Sequence, residues 1–212
     1  SGTHDVKAVF WETARNSHAL LAFFTLSNAD VILARSILDR HDAGLYAGGL
    51  ILVKAMLFLP QFVVIVAFPS MSNEAERRDA LLRGIAVVLG LGVVGVLAAW
   101  LLSSVALVFI GGPLYSDIQG KLWIFAILGT LLSAIQLLVY SVVARQSQKS
   151  VYLIWLMLAL LVVGATQVSS VGGMLTVVCL VDGALFLILL GISLWRIRTA
   201  PALDAEKATS RP

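Results

Sequence analysis

Charged residues, cysteine and extended polar stretches are all scarce in this chain. Of its 212 residues only 13% are Asp, Glu, Lys or Arg, whereas a soluble domain is about a quarter charged. Hydrophobic residues make up 59% and the mean hydropathy is +0.96, which excludes a soluble globular domain and marks an integral membrane protein. A single cysteine, Cys179, excludes an internal disulfide and a Cys/His metal framework. His4, His18 and His41 are scattered near the aqueous ends of apolar runs. No His-Glu-x-x-His pair, nucleophile elbow or phosphate-cradling glycine loop is present, so neither an enzyme nor a bound cofactor is expected. Basic clusters interleaved with aromatics are missing too, and nucleic acid is not an expected partner.

What the chain does have is apolar length. A helix needs about 20 predominantly apolar residues to cross the hydrocarbon of a bilayer, and six such runs occur, at residues 18–38, 44–68, 84–110, 122–144, 151–168 and 174–195. The expected fold class is all-α integral membrane, a bundle of six transmembrane helices over residues 18–196. Ahead of it, residues 1–17 place Val6, Val9, Phe10 and Thr13 at helical spacing, an amphipathic lead-in that lies on the membrane surface or joins the first span. Behind it, residues 197–212 are polar and are expected to be a disordered tail.

The punctuation between runs is local. Residues 39–43 should turn the chain, Pro60 should kink the second run and Pro69 should end it. Asn73 followed by Glu76 has the spacing of a helix start within the charged link 70–83. Gly111, Gly112 and Pro113 should break the third run, and Gly90, Gly92 and Gly95 within it offer a small-residue surface for a neighbouring helix. Gln136 is expected to join helices through its amide.

Orientation follows from the basic residues of the links. Lys7, Arg15, Arg77, Arg78, Arg83, Arg145, Lys149, Arg196, Arg198, Lys207 and Arg211 fall on one side, and only Arg35, Arg40 and Lys121 on the other. Positive residues concentrate on the cytoplasmic face, so both termini are expected there, in the cytoplasmic membrane. The same asymmetry explains the net charge of +3 without an anionic soluble partner. The opening Ser-Gly-Thr-His in place of Met suggests a piece of a longer chain.

Ionisable residues inside the apolar runs are the candidates for function. Such a residue deep in the bilayer costs from about 3 to more than 10 kcal/mol and is normally turned toward a bundle interior or a wet cavity. Asp30, with Asn28 beside it, interrupts the first run, and Lys54 the second. In a helical hairpin Asp30 stands about 9 residues before the turn and Lys54 about 11 after it, roughly 13 to 17 Å deep. An Asp30–Lys54 pair is therefore expected near mid-membrane, and it would respond to an arriving anion or proton. Arg35 lies nearer the surface, where its guanidinium fork suits a phosphate or a lipid headgroup. Asp182, inside the sixth run, suits either a pathway or a water-bridged structural role.

The run Leu26-Ser-Asn-Ala-Asp30-Val-Ile-Leu-Ala-Arg35, then Asp42-Ala-Gly44-Leu-Tyr46-Ala, Lys54, Phe58-Leu-Pro60 and Phe68-Pro69 resembles the opening hairpin of a lobe in polysaccharide and lipid-linked oligosaccharide flippases. These belong to the multidrug/oligosaccharidyl-lipid/polysaccharide exporter superfamily. Phe109-Ile-Gly-Gly-Pro-Leu-Tyr115 and the basic link Ala144-Arg145-Gln-Ser-Gln-Lys149 are similar to later connections of that family. The resemblance implies about twelve spans in two six-helix lobes around a cavity, of which this chain would be one, the C-terminal one. It implies alternating access that carries a polyprenyl-diphosphate-linked glycan between leaflets without ATP. The implied partners are the glycan lipid, the surrounding membrane lipid and the missing N-terminal lobe. On that view Arg35 and Lys54 attract the diphosphate or its sugars, and Asp30 holds Lys54 or exchanges a proton. Two other classes fit the same residues: a cation-coupled multidrug exporter of the superfamily using Asp30 or Asp182, and a non-transporting scaffold of a glycan-synthesis complex.

Overall fold

A computed structural model describes the backbone of residues 2–58, 61–62, 77–144 and 148–209, and the side chains of 17–58, 61–62, 79–142 and 150–195. Among the described residues the fold is entirely helical. In chain order the helices are α1 (Gly2–Ile37), α2 (Arg40–Met56), α3 (Arg77–Leu101), α4 (Ser103–Ile110), a 3-10 helix (Gly112–Lys121), α5 (Leu122–Ala144), α6 (Gln148–Ala165) and α7 (Val171–Thr209).

Among the described residues four stretches are long and apolar enough to cross a membrane: Ser17–Ile37, Asp79–Leu101, Gly112–Val142 and Val171–Trp195. Part of the second of the six expected runs lies outside the described residues. The fifth expected run forms a shorter apolar helix, Ser150–Ala165. The second ends as a described helix at Met56 after 17 residues, and Pro60, Pro69 and the Asn73/Glu76 helix start lie outside the described residues.

Several boundaries differ from the sequence reading, each for a local reason. Of the two arrangements expected for the lead-in, the backbone takes the second: α1 is continuous from Gly2 into the first span. The turn after it is tighter than residues 39–43, because Asp39 acts as N-cap of α2. Its Oδ1 accepts from the backbone N–H of His41 at 2.8 Å and of Asp42 at 2.9 Å, satisfying two amides that the first helical turn leaves without partners. The third run is two helices, α3 and α4, interrupted at Leu102, whose backbone departs from helix at φ −107° and ψ 30°. Gly111 and Gly112 then end α4 as expected, with φ of 146° and 74°, a region that side chains with a Cβ rarely occupy. At the far end α7 continues as helix to Thr209, where the sequence suggested a disordered tail; Ala202, Leu203, Ala205, Glu206, Lys207 and Ala208 are good helix formers.

The core is built on α5. α5 packs against α1, α2, α3 and α7. Its Leu122, Phe125, Leu128, Ile135, Leu137 and Leu138 are fully buried. Glycines set how closely its neighbours come. A Cβ at Gly49 of α2 would meet the Phe125 ring, and one at Gly92 of α3 would meet Thr130. Gly92 thus supplies the close approach expected of the glycine-rich third run, whereas Gly90 faces open space.

Polar groups stitch the layers. The Ser133 hydroxyl of α5 lies 2.9 Å from the Met56 carbonyl of α2 and 2.7 Å from the Gly129 carbonyl, so it serves a carbonyl left over at the end of α2. The Trp155 indole of α6 donates to His18 Nε2 of α1 at 3.0 Å. Gln136, expected to bridge helices, instead donates to the Tyr140 hydroxyl one turn along its own helix at 3.0 Å. The four-residue spacing makes that neighbour the nearest acceptor.

Candidate functional site

The polar residues of the first two spans do come together, in an arrangement other than the one their spacing suggests. Lys54 sits near the C-terminus of α2 and reaches across to α1. Its Nζ donates to Asn28 Oδ1 at 3.0 Å and to the backbone carbonyl of Ser27 at 2.8 Å. It does not pair with Asp30: among the described residues the one ion pair is His41 with Asp117, at 3.0 Å and largely exposed. The reason is helical geometry. Residues two apart on a helix project about 200° from each other, so a lysine hydrogen-bonded to Asn28 stops short of Asp30, although the two charges stay within electrostatic range.

Asp30 points inward and is 3% exposed. Its Oδ2 accepts from the Tyr46 hydroxyl at 3.0 Å, and its Oδ1 accepts from the backbone N–H of Val31 at 2.8 Å. Tyr46 belongs to α2, is fully buried, and rests against the Phe125 ring with centroids 5.6 Å apart. The sequence reading passed over Tyr46 as a site residue. The available signal was a hydroxyl-bearing aromatic 16 positions from Asp30, on the hairpin's second arm, and that span alone does not say which face it takes.

Asp182 joins the same buried region from α7. It is 2% exposed, lies within electrostatic range of Asp30 and of Tyr46, and its Oδ1 has no hydrogen-bond partner among the described residues. Buried polar atoms are nearly always satisfied, so this oxygen is unusual. Arg35, by contrast, is exposed on the last turn of α1 and takes no part in the cluster.

The site therefore has two sides. Asn28 and Lys54 are only partly buried and form its accessible side. Asp30, Tyr46 and Asp182 form its buried side. Asn28 stands about 9 residues from one end of the span Ser17–Ile37, roughly 14 Å in, so the accessible ammonium lies near the middle of that span. Lys54 carries three N–H donors, of which two are engaged by described residues. No group of three or more His, Cys, Asp or Glu among the described residues is placed to hold a metal ion. No protein-family model matches the chain, and no curated protein or solved structure matches it either.

Proposed function

We propose that this chain is one lobe of a flippase that moves an anionic lipid-linked glycan, of the polyprenyl-diphosphate type, across the cytoplasmic membrane by alternating access. One observation carries the proposal: a partly exposed ammonium, Lys54, held by Asn28 and the Ser27 carbonyl near the middle of a membrane span. An ammonium there is too costly to leave against lipid tails, so this face of α1 and α2 borders water, a ligand or further protein. A headgroup carrying phosphate is the natural partner for the remaining N–H. The glycan would pass along this face while its lipid tail stayed in hydrocarbon. Arg35, exposed nearer the outer end of α1, would meet the phosphate at that end of the path. Both termini would lie on the cytoplasmic side, where the basic links put them.

The test is flipping of a polyprenyl-diphosphate oligosaccharide in vesicles reconstituted with the natural-length protein. Lys54→Met should abolish most of the rate and Lys54→Arg should retain it. Equal rates for wild type and Lys54→Met would discard the proposal.

A second reading is favoured by Asp182, buried near Asp30 and with an oxygen that has no partner among the described residues. Two carboxylates in that setting call for a shared proton or a cation, as a cation-coupled multidrug exporter would use. Loss of drug resistance without a glycan-export defect, in an Asp182→Asn strain, would select this alternative.

A further inference from the structure

The accessible face of α1 and α2 carries more than an ammonium. Asp30 meets Tyr46 and Asn28 meets Lys54, so position falls along α1 as it rises along α2, and the two helices run antiparallel. Phe24 and Phe58 each stand four residues from one member of the Asn28–Lys54 contact, toward the same end of the hairpin. Four residues are one turn, about 6 Å along the axis and about 40° around it, so each ring shares a side of its helix with Asn28 or Lys54. On α1 the Asn28 side-chain amide bonds the Phe24 carbonyl at 2.7 Å. On α2 Phe58 follows directly after the last turn. Phe24 is 66% exposed and Phe58 61%, so neither is spent on the core. Toward the other end of the hairpin the exposed residues near this contact are aliphatic, Ile32 and Ile51, which leaves aromatic rings on one side of the ammonium only.

An ammonium at this depth does not face lipid tails, and rings one turn away open onto the same space. What fills that space has to accept from an N–H at one point and cover aromatic faces about 6 Å further on. A bare phosphate does only the first, and a lipid chain only the second. A phosphorylated sugar does both: its phosphate oxygens accept, and the weakly positive C–H bonds on one face of a pyranose ring lie against the negative face of an aromatic ring. We propose that Phe24 and Phe58 form a sugar platform beside Lys54, seating the first sugar ring next to the phosphate. Lys54, held by Asn28, supplies the attraction for the anion. The two rings determine specificity, selecting glycosylated phosphate over bare phosphate. That Lys54 receives an anion rests on the proposed function; that the rings receive a sugar rests on their own placement, and the two can fail separately.

Ligand-observed NMR titrations of the natural-length protein in lipid nanodiscs, read against empty nanodiscs, test this with three probes: inorganic phosphate, a hexose 1-phosphate and a short isoprenyl phosphate. Wild type should bind the hexose 1-phosphate roughly two- to tenfold more tightly than inorganic phosphate, the range that ring contacts supply. Phe24→Leu combined with Phe58→Leu keeps both positions apolar; it should erase that difference and leave inorganic phosphate binding unchanged. Phe24→Trp combined with Phe58→Trp should retain the preference, which a loss of mere apolar bulk does not predict. A hexose preference that survives the leucine substitutions, or none in wild type, would overturn the platform and leave the flippase reading to the transport assay of Lys54→Met. Weakened binding of the isoprenyl phosphate in place of the hexose 1-phosphate would overturn it too, assigning the rings to a lipid chain. Hexose 1-phosphate binding that depends on the rings but is equal in wild type and Lys54→Met would keep the platform and count against the proposed function.

Discussion

Lys54 of α2 bonds Asn28 of α1 at 3.0 Å, and this contact, not an ion pair with Asp30, joins the first two spans where their polar residues meet. The accessible cation and the buried carboxylates thus have different hydrogen-bond partners while remaining within electrostatic range of each other.

Tyr46→Phe removes the donor to Asp30 Oδ2 and leaves a buried oxygen without it. A lost buried partner costs about 1–3 kcal/mol. Thermal unfolding in detergent should show the loss, and Tyr46→Phe melting like wild type would mean that Asp30 finds another donor.

Asp182→Val should behave the opposite way. The substitution deletes a buried oxygen that has no partner among the described residues, so stability should hold or rise by about 1 kcal/mol. Transport, whether of glycan lipid or of drug, should fall. A clear drop in melting temperature would instead assign Asp182 a structural bond.

Glycine substitutions separate packed from open positions. Gly49→Ala drives a methyl into the Phe125 ring, against which α2 is packed, and overpacking of this kind costs about 1–3 kcal/mol. Gly90→Ala meets nothing within 4 Å and should be neutral or stabilising by up to about 1 kcal/mol. Equal melting temperatures for the two variants would contradict the closeness of α2 to α5.

Ser133→Ala tests the tie between α5 and the end of α2. The hydroxyl is buried and serves the Met56 carbonyl, so its removal should cost about 0.5–1.5 kcal/mol. Protection of the amides near the C-terminus of α2 should fall in parallel, as followed by hydrogen exchange.

Much of this architecture could be read from residue order, because it depends on local physics. Apolar length alone marks the membrane class, and the glycines at 111 and 112 announce a break through their backbone freedom. Lys54, Asp30 and Asp182 stand out simply by being ionisable within hydrocarbon-length runs. Where those side chains point is a different matter. Asn28 and Asp30 are near neighbours in sequence, yet the turn of the helix sends one to the accessible face and the other to the core. Tyr46, His41 with Asp117, and Ser133 with Met56 find their partners 16, 76 and 77 positions away, separations that carry no local signal. The chain's composition and periodicity determined that it would form apolar helices with a few stranded polar groups. Only the packing of those helices around α5 decided which polar groups met, because rotation about a helix axis is set by its neighbours and not by its own residues.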